Sequence, residues 1–156
     1  MDITIKRTTS ENEDFRILVP KLDLDLRIRD GDEHAFFAQY NKIDSIRNVV
    51  VAYRNGEAVG CGAFKPFETG VVEIKRMYVL PAHRGNGIAA AVLHELETWA
   101  AENGNSRSVL ETGKGMPEAI GLYQKSGYVI IPNFGQYQGV ESCVCFAKQL
   151  AKKGKE

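Results

Sequence analysis

Between Met77 and Ala89 the chain reads Met-Tyr-Val-Leu-Pro-Ala-His-Arg-Gly-Asn-Gly-Ile-Ala, a strand-like run that passes through two glycines straight into a helix. Ile88, Val92, Leu96 and Trp99 recur along one stripe and Gly104 follows, which predicts a helix over Gly85 to Asn103. The first turn of a helix leaves amide N–H groups without intrahelical partners and carries partial positive charge. Gly85 and Gly87 let the backbone approach a ligand closely. Arg84, Gly85, Asn86, Gly87, Ile88 and Ala89 therefore form a candidate cradle for a pyrophosphate. A glycine-rich turn between strand and helix also answers a purely steric need, so the rest of the chain must decide between the two readings.

Upstream, Val49–Tyr53 and Val59–Phe64 flank Asn55-Gly56, the signal of a hairpin with a type I′ turn. Ile3 and Ile5 alternate as in a short strand, and Ser10-Glu11-Asn12-Glu13 has the form of a capping box. The helix that follows carries Phe15, Leu18, Val19, Leu22 and Leu26 on one face. Pro20 should kink or divide it, and Asp30-Gly31-Asp32 ends it. A short helix is predicted around Ala35 to Tyr40. Further strands are predicted at Val71–Leu80, Ser108–Glu111, Tyr128–Ile131 and Glu141–Ala147, with a helix over Pro117–Lys125. This order makes a single α/β (α+β) domain over residues 1–150, a mixed sheet with helices on its faces, and leaves 151–156 as a tail.

The charge is balanced, 20 basic against 20 acidic side chains, so no basic field points to nucleic acid. No apolar run reaches the length of a membrane span and the N-terminus lacks a signal-peptide core, which points to a cytoplasmic protein. Cys61, Cys143 and Cys145 read as reduced structural thiols, and the three scattered histidines offer no metal site. A Rossmann reading of the glycine turn fails on detail: Ala90 stands where the third glycine of Gly-x-Gly-x-x-Gly belongs, and the upstream hairpin does not suit a doubly wound sheet.

A second segment, Leu122-Tyr123-Gln124-Lys125-Ser126-Gly127-Tyr128, lies some distance downstream of Val79-Leu80-Pro81 and Arg84-Gly85-Asn86-Gly87. Together with Leu110-Glu111-Thr112-Gly113 these resemble the GNAT superfamily of acetyl-coenzyme A-dependent N-acetyltransferases, over the stretch from Val49 onward. Ala82 departs from the glutamine or arginine usual there, at a place where backbone amides do most of the binding.

The resemblance implies a sheet splayed between the strand ending at Val79 and that of Val109–Glu111, with acetyl-CoA as cosubstrate and its pantetheine in the gap. Met77, Tyr78 and Val79 would pair with the pantetheine amides, and the Met77 N–H would face the thioester carbonyl as charge builds there. The acceptor is an amine of a small molecule or a protein, attacking directly through a tetrahedral state. Glu73 and Glu111 are the two candidates for general base. Strand alternation would put Glu73, Lys75, Met77 and Val79 on one face unless a bulge intervenes, and an ion pair of Glu73 with Lys75 or Arg76 is the structural alternative. Tyr123 would be the general acid toward the departing thiolate, or else a packed core tyrosine. His83 reads as a phosphate neighbour or loop residue. The acceptor groove would be walled by Leu18 to Tyr40 and by Pro132 to Gly139, where Phe134 and Tyr137 are candidates for holding the acceptor. A homodimer through the Glu141–Ala147 strand is a further expectation, and a non-catalytic acetyl-CoA-binding module is the rival to the enzyme.

Overall fold

The structure is a computed structural model and describes residues 2–31 and 46–150. The predicted helix around Ala35–Tyr40 and the tail at 151–156 lie outside the described residues. Strand β1 (Ile3–Thr8) is followed by helix α1 (Glu13–Asp30), then β2 (Asn48–Arg54), β3 (Glu57–Glu68) and β4 (Val71–Val79). Helix α2 (Ile88–Glu102), β5 (Arg107–Gly113), α3 (Pro117–Lys125), β6 (Val129–Ile131) and β7 (Cys143–Gln149) complete the order. These strands form one sheet ordered β1-β2-β3-β4-β5-β7-β6, antiparallel throughout except for the parallel β4–β5 pair.

The β2–β3 hairpin turns on Asn55 at φ 53° and Gly56 at φ 81°, the positive values that the Asn-Gly pair supplies. Period-two alternation then sorts β2 between two cores: Val49 and Val51 face α1, whereas Val50 and Ala52 face α2. On the α1 side Phe15, Leu18, Val19 and Leu22 close over Cys61, Ala63 and Tyr78. On the other side Val92, Leu93, Leu96 and Ala100 of α2 pack on Val59, Phe64 and Ile74, joined by Tyr123, Tyr128 and Phe146. Full burial of a leucine such as Leu96 contributes roughly 1.5–3 kcal/mol. Glycine in β3 sets how closely α2 approaches: a Cβ on Gly62 would lie 2.9 Å from both Leu96 Cδ1 and Val92 Cγ1.

Several boundaries move for local reasons. Asn12, not Ser10, caps α1, its side chain accepting from the Phe15 N–H at 2.9 Å, while the Ser10 N–H bonds the Ile46 carbonyl. Pro20 does not divide α1, because it falls on the exposed flank beside Arg16 and Ile17, where a missing backbone bond faces water. Helix α2 begins at Ile88 rather than Gly85, since Gly85 and Gly87 adopt φ of 82° and 79°. The last strand starts and ends two residues later than expected and lies inside the sheet, with β5 on one side and β6 on the other along Cys145–Ala147. It therefore has no free edge there for a dimer; β6 is the edge, with Val129 and Ile130 exposed.

Candidate active site

The site originates in a failure of two strands to stay together. β4 and β5 pair only at Val71↔Arg107, Val72↔Ser108 and Glu73↔Val109, after which they diverge. Between them opens a cavity of about 640 Å³, walled by β4 from Glu73 to Val79, by Glu111–Gly113 of β5, by α3 through Ala119, Leu122 and Tyr123, and by Leu22, Asp25 and Leu26 of α1. Past Glu73, the β4 backbone groups that face the gap have no β5 ladder to enter.

The far end of the cavity is the glycine turn. One turn of 3₁₀ helix, Pro81–His83, leads to Arg84, and Asn86 Nδ2 donates to the His83 carbonyl at 3.1 Å to close the loop. The first intrahelical bond of α2 runs from the Ala91 N–H to the Gly87 carbonyl, so the amides of Ile88, Ala89 and Ala90 precede the ladder. A Cβ on Gly85 or Gly87 would meet no protein atom within 4 Å, which means the space above both glycines is open. Arg84 Nε donates to the Val79 carbonyl at 2.9 Å and its guanidinium lies 5.5 Å from the Tyr78 ring centroid, which stations the charge beside the amides. His83 also lines the cavity, with Nε2 3.8 Å from Glu57.

The strand that carries the chemistry is bulged. Cys61 pairs with Tyr78 but Ala63 pairs with Lys75, so Gly62 stands opposite two residues, and Arg76 takes a φ of 60°. The bulge overturns the simple alternation: Glu73 and Lys75 face the α1 side, whereas Met77 and Val79 join Ile74 and Val72 in the α2 core. Gly62 makes room for this, since a Cβ there would come 2.5 Å from Met77 Sδ.

Glu73, the last paired residue of the fork, is buried, and its Oε2 lies 3.9 Å from Lys75 Nζ. The ion pair expected of it as an alternative role is thus present, but inside the cavity wall rather than at the surface. Burial pushes the Lys75 ammonium below its ordinary range, opposed by the Glu73 charge and more weakly by Glu111. Glu111 lines the cavity from the opposite strand. Tyr123 is buried against Tyr128 and Phe146, at centroid separations of 5.8 Å and 6.0 Å, and also lines the cavity. Burial first, and then the Glu111 charge, raises its phenol above the ordinary tyrosine range.

Phe134 and Tyr137 are not brought to the cavity wall. They pack edge to face at 5.7 Å over Cys143 and Cys145, and Phe134 meets Phe67 at 5.0 Å. Burial and then the charges of Glu111 and Glu73 raise the Tyr137 phenol above the ordinary tyrosine range. Leu22, Asp25 and Leu26 of α1, within the Leu18–Tyr40 region expected to wall the acceptor groove, line the cavity; what sequence reasoning missed is Met116, and Thr112 as a lining residue. Arg76 had been noted there only as a partner for Glu73. Thr112 lies within the Leu110–Gly113 motif, whereas the α1 residues and Met116 carry no motif and reach the cavity through packing.

A forked mixed sheet, a glycine cradle at a helix start and a tyrosine across the gap define an acyl-coenzyme A transferase type of architecture. Residues 10–128 match the model of the acetyltransferase (GNAT) family, and the chain belongs to that family. It is 42% identical over 89 residues to an IAA acetyltransferase of Azospirillum brasilense, a match covering 56% of this chain and 58% of that protein. The chain spans less than two thirds of that relative's length. A candidate acyl-CoA N-acyltransferase from Klebsiella pneumoniae superposes with a TM-score of 0.80 at 28% identity, covering 96% of this chain and 98% of the other. A GNAT acetyltransferase from Elizabethkingia anophelis, solved with acetyl-CoA bound, shares the fold at a TM-score of 0.69 and 22% identity, over 95% and 98% of the two chains. No described helix is long and apolar enough to cross a membrane, and no metal-holding group of three His, Cys, Asp or Glu occurs among the described residues.

Proposed function

We propose that the protein moves the acetyl group of acetyl-CoA to an amine. The observation that carries this is the β4–β5 fork, which opens directly onto the free amides of Ile88, Ala89 and Ala90. Acetyl-CoA would supply the activated acyl thioester, and the open space over Gly85 and Gly87 fits the approach of its pyrophosphate. The unpaired edge of Met77–Val79 would hold the pantetheine as a neighbouring strand would, with the Met77 N–H donating to the carbonyl oxygen that gains charge. Glu73 or Glu111 would take the proton from the attacking amine, and Tyr123 would give one to the sulfur. The acetyl-CoA of the Elizabethkingia protein, bound on the same fold, supports this use of the cavity. Its cosubstrate and its three free cysteines suit the cytoplasm, and the apolar edge at Val129 and Ile130 would serve a homodimer.

The test is thermal unfolding with acetyl-CoA, coenzyme A, NAD and ATP in parallel. A ligand that binds only the folded chain raises the midpoint, by a free energy of about 2.7 kcal/mol at one hundred times Kd. A shift with the two coenzyme A species alone is expected; no shift with either would overturn the proposal.

The two glutamates separate by pH profile. A carboxylate base works only when ionised, so the acidic limb of kcat/KM belongs to whichever of Glu73 and Glu111 accepts the proton. Glu73→Gln is expected to abolish that limb and to lower the rate by about 100-fold or more, while Glu111→Gln retains it. The reverse pattern would transfer the role to Glu111.

A further inference from the structure

The bulge that rotates β4 also buries a guanidinium whose donors are mostly unused. The Arg76 side chain is 1% exposed, and its Nη2 bonds Oδ1 of Asp23 on α1. Its Nε and Nη1 have no hydrogen-bond partner, although buried N–H groups are nearly always satisfied. Leaving such donors empty costs about 1–3 kcal/mol each, more when they carry charge. A non-glycine residue held at φ 60° adds backbone strain at the same position. Both costs fall on one residue of the cavity wall.

We infer that the acceptor amine carries a carboxylate, as an amino acid does, and that Arg76 receives it. The inference rests on the acetyltransferase reading of this cavity and names its substrate class. The surrounding charges fit one carboxylate. Among the acids here, Asp25 is paired with Arg29 at 3.3 Å, Glu73 lies beside Lys75, and Asp23 sits on Arg76 while remaining 50% exposed. Asp23 is therefore the group able to swing into water and yield its place to an incoming carboxylate. A carboxylate matches the single negative charge of Asp23 that it would replace on Arg76. The amine end of such an acceptor is then left to Glu73 and Glu111 across the fork.

The experiment measures thiol release from saturating acetyl-CoA with each proteinogenic L-amino acid, its carboxamide and its decarboxylated amine. The expected result is at least one amino acid with kcat/KM ten-fold or more above its amide, the difference lying in KM. Arg76→Gln should bring that ratio near one, and Arg76→Lys, retained in case the glutamine variant does not fold, should reduce it part way. Asp23→Asn, at a half-exposed position, should lower KM for the acid. The inference is overturned if amides or plain amines are preferred, if no amino acid reacts, if the preference survives in a folded Arg76 variant, or if Asp23→Asn leaves KM for the acid unchanged or higher. The same preparations are read for a midpoint shift with acetyl-CoA. A shift with no carboxylate preference sinks this inference alone. If no shift occurs, the acetyltransferase reading fails, and calorimetric titration with the same acids and amides decides whether Arg76 binds carboxylates.

Discussion

Tyr123→Phe is expected to lower kcat by roughly 10²–10⁴-fold while leaving acetyl-CoA affinity close to that of the wild type. The ring is held by Tyr128 and Phe146, and phenylalanine keeps those contacts, so the loss isolates the hydroxyl. Tyr123 itself is part of the cavity wall that α3 supplies. Burial, assisted by Glu111, raises its pKa above the ordinary value of 10.0, so it remains protonated across neutral and moderately alkaline pH. Ionisation of Tyr123 should therefore produce no fall in rate below about pH 10. Single-turnover kinetics and coenzyme A titrations on the same variant measure the two parts. An unchanged kcat would remove Tyr123 from the acid role and leave it a packing residue.

Gly87→Val acts at the other end of the cavity and through a different cost. At φ 79° a β-branched side chain is strained, by about 1–3 kcal/mol, and part of any loss will be global stability. The protein itself leaves room, since a Cβ at Gly87 meets nothing within 4 Å. The isopropyl group would instead occupy the space through which a phosphate reaches the Ile88 and Ala89 amides. Acetyl-CoA affinity should fall on the order of 100-fold, comparable to losing two charge-assisted hydrogen bonds. Calorimetric titration of the folded variant checks this. Normal coenzyme A binding would show that the phosphates lie elsewhere.

The parts that could be read from sequence are those where a residue type has one cheap conformational use. Asn55-Gly56 announced its hairpin, and the glycines at 85 and 87 announced a turn of positive φ before a helix. The parts that could not be read turn on competition between equivalent residues or on distant packing. Ser10 and Asn12 are both good caps, and only the bond from Ser10 to Ile46 decides for Asn12. The parity of β4 depends on a bulge at Arg76, a residue type with no preference for φ 60°, and on Gly62 across the ladder. Phe134 and Tyr137 read as faces for an acceptor, and their packing over Cys143 and Cys145, with Tyr137 buried and Phe134 half-buried, is a tertiary outcome. Glu73, Glu111 and Tyr123 were assigned through a motif, and the fork brings all three to one cavity.

The shortness of the β4–β5 ladder has a consequence for how the molecule breathes. Backbone pairing between β1–β4 and β5–β7 is confined to the registers at Val71, Val72 and Glu73 and the bonds from the Ser106 and Arg107 N–H groups to the Gly70 carbonyl, so beyond that end the two halves of the sheet are seamed by side chains beneath α2. The β6–β7 ladder is as short but releases only an edge strand, whereas opening along this seam divides the sheet in two across few backbone bonds and should be a low-energy sub-global fluctuation of the fold. Solvent deuterium would then reach the amides of Ile74 to Val79 well before those of β2 and β3. A molecule lying in the fork as a surrogate strand would close the seam, making the two halves exchange as one cooperative unit.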